Sequence, residues 1–419
     1  MDAHLNTLPA QPTTPLPPIP EPIRGSVMGT FAHHTVTVRM PGIARRLLVD
    51  NDFLSEVAKR VKTLIAELPD APVRLIQDHI APDLENWQRY TAPHLGRTWL
   101  EVPWFFAEHY FYRRILEATG YFRPGPGQGV DPFATEKARG LLASQAGTQA
   151  LAVQMDGRPG DPGRTQAALS RLLLTAALWG NQSDLSMWPV DKSDRPDHHD
   201  ASQQDAHLVV DETPAILAYL LKPASLPEQV DLIVDNAGFE LVCDLALAEF
   251  LLSSGTVKTV QLHLKAHPTF VSDATVEDVH RTLAGLGTGP HPSVQRLAER
   301  LHNHLESGRL RLLDAFFWNS PLEFWEMPSE IRQVLAGSNL VISKGDANYR
   351  RLLGDRHWSL STSLADTLRY FPAPLALVRV LKSETVIGLQ PGQPDWLSRQ
   401  DPGWMTSGKW GLVQFWPGG

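Results

Sequence analysis

Cysteine is almost missing from this chain of 419 residues, because Cys243 is the only one. A single cysteine excludes an internal disulfide, and its position in an apolar, helix-like stretch favours a buried, unreactive thiol. A protein of the reducing cytosol fits this composition best.

Long apolar runs and an excess of positive charge are also missing. No stretch approaches the roughly 20 apolar residues needed to cross a bilayer, and the N-terminus has no basic start followed by an apolar core, as a secretory signal would. The net charge of −8 creates no broad positive field for nucleic acid or an anionic membrane. We therefore expect a soluble, cytoplasmic protein whose main partner is neither nucleic acid nor a membrane. Nothing in the sequence fixes the oligomeric state.

Several sequence motifs of enzymes are absent too. The chain has no Gly-x-x-x-x-Gly-Lys-Ser/Thr loop for nucleotide phosphates, no His-Glu-x-x-His zinc motif and no Gly-x-Ser-x-Gly elbow. These absences argue against a nucleotide-driven reaction, a zinc protease of that type and a serine hydrolase.

Apolar periodicity divides the chain into three regions. Residues 1–22 are rich in proline and threonine and predict a disordered tail, whereas residues 23–210 predict a mainly helical N-terminal or cap region. Residues 211–419 alternate strands with helices and predict a metal-binding catalytic domain. Such alternation is typical of a mostly parallel sheet covered on both faces, so the fold class is α/β, a three-layer sandwich with a helical N-terminal addition.

The individual elements follow from the same pattern. Helical spacing covers residues 43–68, 99–119 and about 166–177. Further helices are predicted over 239–252, from 275 onward and over 328–335. Strands are predicted up to Asp235, from Val257, over 310–313, over 340–343 and over 375–380.

Polar residues stand where three of these strands end. Asp235 and Asn236 follow the first, Asp273 follows the second, and Asp346 follows the strand that ends near Ser343. The carboxyl ends of parallel strands meet at one edge of a sheet, where open α/β proteins bind their ligands. Carboxylate and amide oxygens suit Mg²⁺, Mn²⁺ or Co²⁺. Each residue alone could merely cap the following helix, but their joint occurrence favours a site.

Cationic residues lie close to the same strand ends. The run from Lys344 through Gly345 to Arg350 mixes a turn, an acid, an amide and two cations, as a phosphate site beside a metal requires, although a solvated turn has the same composition. Arg379 and Lys382 follow the last predicted strand and could neutralise phosphoryl oxygens in the same crevice, or could be ordinary surface charges. Two other positions have equally open roles: Asn181 could bind substrate or cap a turn, and Glu240 could reach the site or stabilise its helix.

These residues lie in segments that resemble the damage-control phosphatases, a metal-dependent family whose eukaryotic branch is also described as acidic residue methyltransferases. The resemblance extends over nearly the whole chain after the tail. The last segment has Val380 where the subfamily usually has threonine, which affects substrate choice more than metal binding. The segments are Trp104–Arg113, Trp179–Leu185, Val234–Leu245, Phe270–Asp273, Lys344–Arg350 and Arg379–Lys382.

The resemblance implies roles for individual residues. Asp235, Asn236 and Asp273 match the family's metal ligands, for Mn²⁺, Co²⁺, Ni²⁺ or Mg²⁺, and together with Asp346 they form the predicted catalytic group. The substrate-phosphate contacts match Gly345 to Arg350 with Lys382, and Glu240 belongs to the same pocket. The full set of predicted substrate-binding residues is Asn181, Glu240, Lys344, Gly345, Asp346, Asn348, Tyr349, Arg350, Arg379 and Lys382.

The implied reaction is hydrolysis of a small phosphomonoester, such as fructose 1-phosphate or a damaged phosphorylated metabolite. The divalent ion would polarise the phosphoryl oxygens and acidify water, while Lys382 and Arg350 would spread the developing negative charge. Water is favoured over an aspartate as the attacking group, because both matching aspartates are needed as ligands. Methyl transfer from S-adenosylmethionine to protein carboxylates and a non-enzymatic binding role are the alternatives.

Overall fold

The computed structural model describes residues 17–156, 207–221 and 227–418. Its centre is a seven-stranded sheet with the order β1-β7-β6-β5-β2-β3-β4. Every pairing between neighbouring strands is parallel except that of β6 with β7. The strands are β1 (Leu208–Asp211), β2 (Gln229–Ile233), β3 (Thr259–Lys265), β4 (Leu310–Ala315), β5 (Leu340–Lys344), β6 (Leu375–Val380) and β7 (Gly411–Trp416).

Helices form the N-terminal region and cover the sheet. Residues 35–39 make one π-helical turn between the first two α-helices. The helices of the N-terminal region are α1 (Phe31–His34), α2 (Met40–Asp50), α3 (Ser55–Glu67), α4 (Leu84–Thr91), α5 (Trp104–Thr119), α6 (Ala134–Ala143) and α7 (Gln145–Met155). Those that follow are α8 (Thr213–Leu220), α9 (Phe239–Ser253), α10 (Val276–Gly287), α11 (Pro292–Glu306), α12 (Ser329–Ala336), α13 (Asp346–Leu353), α14 (Leu364–Leu368) and α15 (Gln393–Gln400).

Three apolar cores hold these layers together. One lies between the sheet and helices α9, α10 and α11, and a second lies on the opposite face of the sheet, against α12, α13 and the aromatic segments after β4. The central strands β5 and β6 are buried along their whole length, as expected for strands covered on both faces. The third core fills the N-terminal helices and includes Val271 from the loop after β3, so that loop is shared between the helical region and the sheet.

The predicted α/β class and its mostly parallel sheet are confirmed. Strand β6 has the predicted bounds, and the other predicted strands and helices from residue 229 onward are found with ends displaced by a few residues. The boundary predicted between residues 210 and 211 falls inside β1. The disordered tail was predicted to extend to residue 22, whereas in the structure Pro22 forms a β-bridge with Arg356.

Two predictions about continuous helices were wrong. The stretch 43–68 is broken between α2 and α3 because Asn51 adopts an extended backbone while its amide caps the carbonyls of Leu47 and Pro132. The helix predicted from Trp99 begins only at Trp104, after Pro103. Strands β1 and β7 were not predicted, and the helix predicted near 166–177 lies outside the described residues. No helix in the described ranges is long and apolar enough to cross a bilayer.

Candidate active site at the carboxyl edge of the sheet

A crevice opens where the parallel strands end. Oxygen-bearing side chains line one part of it, namely those of Asp235, Asn236, Asp273, Asp346 and Glu108. Three cations, Arg39, Arg350 and Lys382, and three aromatic rings, Phe31, Trp104 and Phe270, complete its charged and aromatic lining. The crevice therefore combines ligands for a cation with groups that attract an anion.

Backbone hydrogen bonds hold the two acidic loops side by side. The loop after β2 and the loop after β3 are joined when Ala274 N–H donates to the Asp235 carbonyl at 2.8 Å and Ala237 N–H donates to the Ser272 carbonyl at 2.7 Å. Between these bonds, Asn236 and Asp273 form an isolated antiparallel bridge. The side chains that sequence places almost 40 residues apart are thus fixed next to each other.

The turn that presents Asp273 has an unusual backbone. Phe270 and Val271 have φ values of 48° and 67°, which non-glycine residues rarely adopt. The Phe270 ring is held between helix α5 residues His109 and Tyr112, at centroid distances of 4.9 and 4.8 Å. Packing by the N-terminal helices therefore stabilises a strained turn immediately before a candidate metal ligand.

A buried polar chain orients Asn236. Its amide nitrogen donates to Asp235 Oδ2 and to Glu240 Oε2, both at 2.8 Å, and its amide oxygen accepts from Ser272 Oγ at 2.6 Å. Lys344 Nζ, in turn, contacts Glu240 Oε1 at 2.8 Å and Asp244 Oδ1 at 3.2 Å. Burial opposes the charge of Lys344, but Asp244 and Glu240 together raise its pKa. Lys344 therefore does not line the crevice but holds Glu240, which in turn orients Asn236.

Gly345 brings strand β5 against Asp235. A Cβ atom at this position would lie 2.0 Å from Asp235 Oδ2, and the backbone φ is +87°. Both the space and the conformation therefore require glycine here.

Asp346 begins helix α13 and is fixed by residues that follow β6. Its Oδ1 accepts hydrogen bonds from the Lys382 backbone N–H at 3.2 Å and from Ser383 Oγ at 3.1 Å. Arg379 Nη1 lies 3.1 Å from the same oxygen, while its guanidinium stacks on Tyr349 and donates to the Thr385 carbonyl. Arg379 is thus a buried support for Asp346.

Arg350 lines the crevice, but two carboxylates already balance its charge. Its Nε and Nη2 both donate to Asp355 at 2.9 Å, and its Nη1 donates to Glu108 at 2.5 Å. The guanidinium also stacks on Trp104, 3.7 Å from the ring centroid. Burial raises the pKa of Glu108, and the charge of Arg350 opposes this shift.

The predicted site residues that the structure describes therefore separate into three groups. Asp235, Asn236, Asp273, Asp346, Arg350 and Lys382 line the crevice. The side chains of Asn348 and Tyr349 point into the protein, towards the Val234 and Lys344 carbonyls and towards Gln414 respectively. Glu240, Lys344, Gly345 and Arg379 stand behind the lining. Asn181 lies outside the described residues.

Sequence reasoning missed the contribution of the N-terminal region. Phe31, Arg39, Trp104 and Glu108 reach the crevice from helical segments of the N-terminal region, at least 100 residues before the first strand of the sheet. Only the family resemblance of the Trp104–Arg113 segment signalled any of them. Lys265 was missed as well: it ends β3 and places its ammonium 3.2 Å from Asp273 Oδ2.

The acidic side of the crevice fits a divalent cation. Burial and the carboxylates of Asp273 and Glu240 raise the pKa of Asp235 well above its ordinary value, even though Lys265 and Lys382 oppose this. A bound cation would relieve the same crowding of negative charge. Across the ranges that the structure describes, no three His, Cys, Asp or Glu side chains converge in a metal-binding arrangement. The residues that could hold a metal are therefore two carboxylates and an amide, Asp235, Asp273 and Asn236.

Comparison with known proteins gives consistent matches. Residues 35–397 match the family model of the damage-control phosphatase ARMT1-like domain. Relatives named damage-control phosphatase ARMT1 include those of Danio rerio, 32% identical and covering 94% of this chain and 97% of the relative, and of Mus musculus, 30% identical with 92% and 96% covered. The Homo sapiens relative is 29% identical, with 95% and 98% covered. A solved DUF89 family protein from Pyrococcus horikoshii has a TM-score of 0.43 and 14% identity, and the match covers 83% of this chain and 90% of that one.

Fold and crevice define an α/β protein with a candidate ligand site at the carboxyl edge of a mostly parallel sheet. The chain belongs to the damage-control phosphatase ARMT1-like family. Membership of this family supports a phosphatase role.

Proposed function

We propose that the chain hydrolyses small phosphomonoesters in a reaction that depends on a divalent metal, with sugar phosphates such as fructose 1-phosphate as substrates. The observation that carries the proposal is the position of Lys382 in the same crevice as Asp235, Asn236 and Asp273. This combination suits metal-assisted hydrolysis of a phosphate ester, in which a metal and a fixed positive charge both stabilise the phosphoryl oxygens.

The chain's own residues would share the work as follows. Asp235, Asn236 and Asp273 would hold Mn²⁺, Co²⁺, Ni²⁺ or Mg²⁺, which when bound would supply Lewis-acid polarisation of the phosphoryl group and would acidify water. Lys382 would orient the phosphoryl group, and Asp346 would fix the Lys382 backbone. Since Asp355 and Glu108 already engage Arg350, we assign Arg350 a smaller share of charge stabilisation than its sequence position suggested.

The overall reaction consumes water and yields inorganic phosphate and an alcohol. The ester P–O bond breaks, a P–O bond to the water oxygen forms, and the released alcohol oxygen gains a proton. Low water access and fixed charges favour this chemistry, since Asp235, Asn236 and Asp273 are each at most 6% exposed. A cytoplasmic location and the absence of a nucleic-acid partner remain predictions from composition.

Phosphate release from a panel of sugar phosphates, with each metal and with a chelator, tests the proposal. We expect metal-dependent release that falls by more than about 100-fold in Asp235→Asn and Asp273→Asn, because loss of a ligand costs at least as much as loss of a supporting residue. Asp395→Asn, an exposed change on α15, serves as the control. Mn²⁺ should raise the melting temperature of the wild type but not of Asp273→Asn.

Release without any metal, or full activity in Asp235→Asn, would contradict the proposed mechanism. Stabilisation by S-adenosylmethionine in a protein that releases no phosphate would instead favour methyl transfer. Stabilisation by neither ligand would favour a binding role.

A further inference from the structure

Arg39 enters the crevice from a π-helical turn. Residues 35–39 interrupt an otherwise α-helical run from Phe31 to Asp50, and Arg39 is the last residue of that turn. Isolated π turns are rare and are often found at functional sites. The guanidinium of Arg39 is half-buried, lies 5.0 Å from the centroid of the Phe31 ring and contacts Thr35 Oγ1 at 3.4 Å.

The segment that carries Arg39 is fastened to the rim of the crevice. Phe31 N–H donates to Glu384 Oε1 at 3.2 Å, two residues beyond Lys382. The Phe31 ring also meets Trp104 edge to face, with centroids 5.9 Å apart. These contacts fix Arg39, Phe31 and Trp104 as the part of the crevice lining that the N-terminal region supplies.

Arg39 and Lys382 reach the crevice from different parts of the fold. Lys382 follows β6 and its backbone N–H donates to Asp346, at the sheet edge that carries the candidate metal ligands, whereas the Arg39 guanidinium lies over the Phe31 ring, which packs against Trp104. A phosphoryl group held at Lys382 and the metal ligands would therefore direct its alcohol portion towards Arg39. The end near Arg39 is aromatic as well as charged, because Phe31 and Trp104 line it.

We propose that Arg39 is a specificity-determining residue that donates hydrogen bonds to hydroxyl oxygens on the alcohol portion of the substrate. Its planar fork of donors suits a polyhydroxylated group, and the rings of Phe31 and Trp104 cover the carbon face of such a group. The class selected is a compact sugar or polyol phosphate. This inference rests on the proposed phosphatase function and adds to it the recognition of the leaving group.

The test compares two esters that share the phosphoryl group. In Arg39→Met, kcat/KM for fructose 1-phosphate should fall by about 10- to 100-fold, mainly through KM, as expected when charge-assisted hydrogen bonds are lost. Phenyl phosphate, measured as a substrate or a competitive inhibitor, has no hydroxyl groups and should be affected by about threefold or less. Inorganic phosphate should likewise keep its inhibition constant within about threefold, since the proposed function binds it at Lys382 and the metal ligands.

Two further variants sharpen the comparison. Arg39→Lys keeps the charge but loses the fork, so we expect an intermediate loss for fructose 1-phosphate. Arg45→Met removes an exposed arginine from the neighbouring helix α2 and should leave both esters unaffected.

The outcomes separate the inference from the proposed function. An active wild type with an unchanged preference in Arg39→Met would overturn the inference alone. Equal losses for both esters and for phosphate inhibition would place Arg39 at the phosphoryl group and would also overturn it. A wild type that hydrolyses no phosphoester would remove the proposed function, and the inference with it.

Discussion

At the scale of single residues, the site depends on the space that the backbone leaves for the side chain of Asp235. The carboxylate of Asp235 occupies the space where a side chain at residue 345 would begin. A glycine there has no chemical role of its own, yet it sets the position of a candidate metal ligand.

Replacing Gly345 by alanine should therefore impair the site. We expect Gly345→Ala to lower metal-dependent phosphate release by at least about 10-fold, because the new methyl group displaces Asp235. Gly255→Ala is the matched control: its φ of +71° is similarly strained, but no atom lies within 4 Å of the added Cβ. If both variants lose equal stability and equal activity, backbone strain rather than the clash is responsible.

The residue scale also shows how far the sequence could predict the site. The carboxyl ends of parallel strands meet at one edge of a sheet, and this rule correctly predicted that Asp235, Asn236, Asp273 and Asp346 lie together. The run after β5 was harder, because it continues as helix α13 and only one face of a helix can meet the crevice. Asp346 and Arg350, four residues apart, share that face, whereas Asn348 and Tyr349 turn inward. The exact start of the helix decides this, and composition does not fix it.

At the scale of elements, helix α9 links the lining of the crevice to the interior. Its first turn carries Glu240, which contacts Asn236 on one side and Lys344 of β5 on the other. Through Glu240, the helix therefore links strand β5 to Asn236, which follows strand β2.

Glu240→Gln should weaken the site without unfolding the protein. The amide keeps the shape of the side chain but removes the charge opposite Lys344, so we expect metal-dependent activity to fall by about 10- to 100-fold and metal affinity to fall with it. Titration calorimetry with Mn²⁺ and phosphate-release assays measure both.

Glu249→Gln provides the control on the same helix. Glu249 is also buried, but it lies about 14 Å from Glu240 along the helix axis and pairs with Arg300. The Glu249→Gln variant should be less stable than the wild type but should keep its metal affinity. An equal loss of metal affinity in both variants would contradict the specific role of Glu240.

Elements also differed in how well the sequence predicted them. The central strands were recognisable because continuous burial makes them continuously apolar. Strand β7 was missed because it departs from the parallel pattern of the central strands: one partner, β1, lies about 200 residues earlier, and the other, β6, runs in the opposite direction. Arg39 and Phe31 were missed for a related reason, since no local pattern shows which sheet loop a helix will contact.

At the scale of the whole molecule, buried histidines lie at the junction between the N-terminal helices and the sheet. His109 of α5 contacts Arg351 at 2.9 Å, and His267 lies 3.7 Å from Asp83. Burial lowers the pKa of His267 to about 4, and burial together with Arg351 lowers the pKa of His109 well below its ordinary value. Both side chains are therefore neutral in the folded protein at neutral pH.

Acid should weaken this junction. Unfolded histidine takes up a proton near pH 6.5, whereas folded His267 does so only near pH 4, so the free energy of unfolding falls as the pH falls between these values. At about 1.4 kcal/mol per pKa unit, His267 accounts for about 3 kcal/mol of this loss. Denaturant titrations from pH 7 to pH 4 should show a smaller loss in His267→Asn than in the wild type. His302→Asn, on the exposed face of α11, should follow the wild type, and a parallel curve for His267→Asn would count against the assignment.

The position of β7 has a consequence for how the protein is made. Strand β7 lies inside the sheet, between β1 and β6, although it comes from residues 411–416. As the chain leaves the ribosome, β1 emerges about 200 residues before the strand that joins it to the others. Until then, within the part of the chain that the structure describes, β1 has no strand partner and β6 has one open edge, and open edges readily pair with other chains. The sheet can therefore close only after residue 416 has been synthesised, and until then the open edge of β6 can pair with other chains.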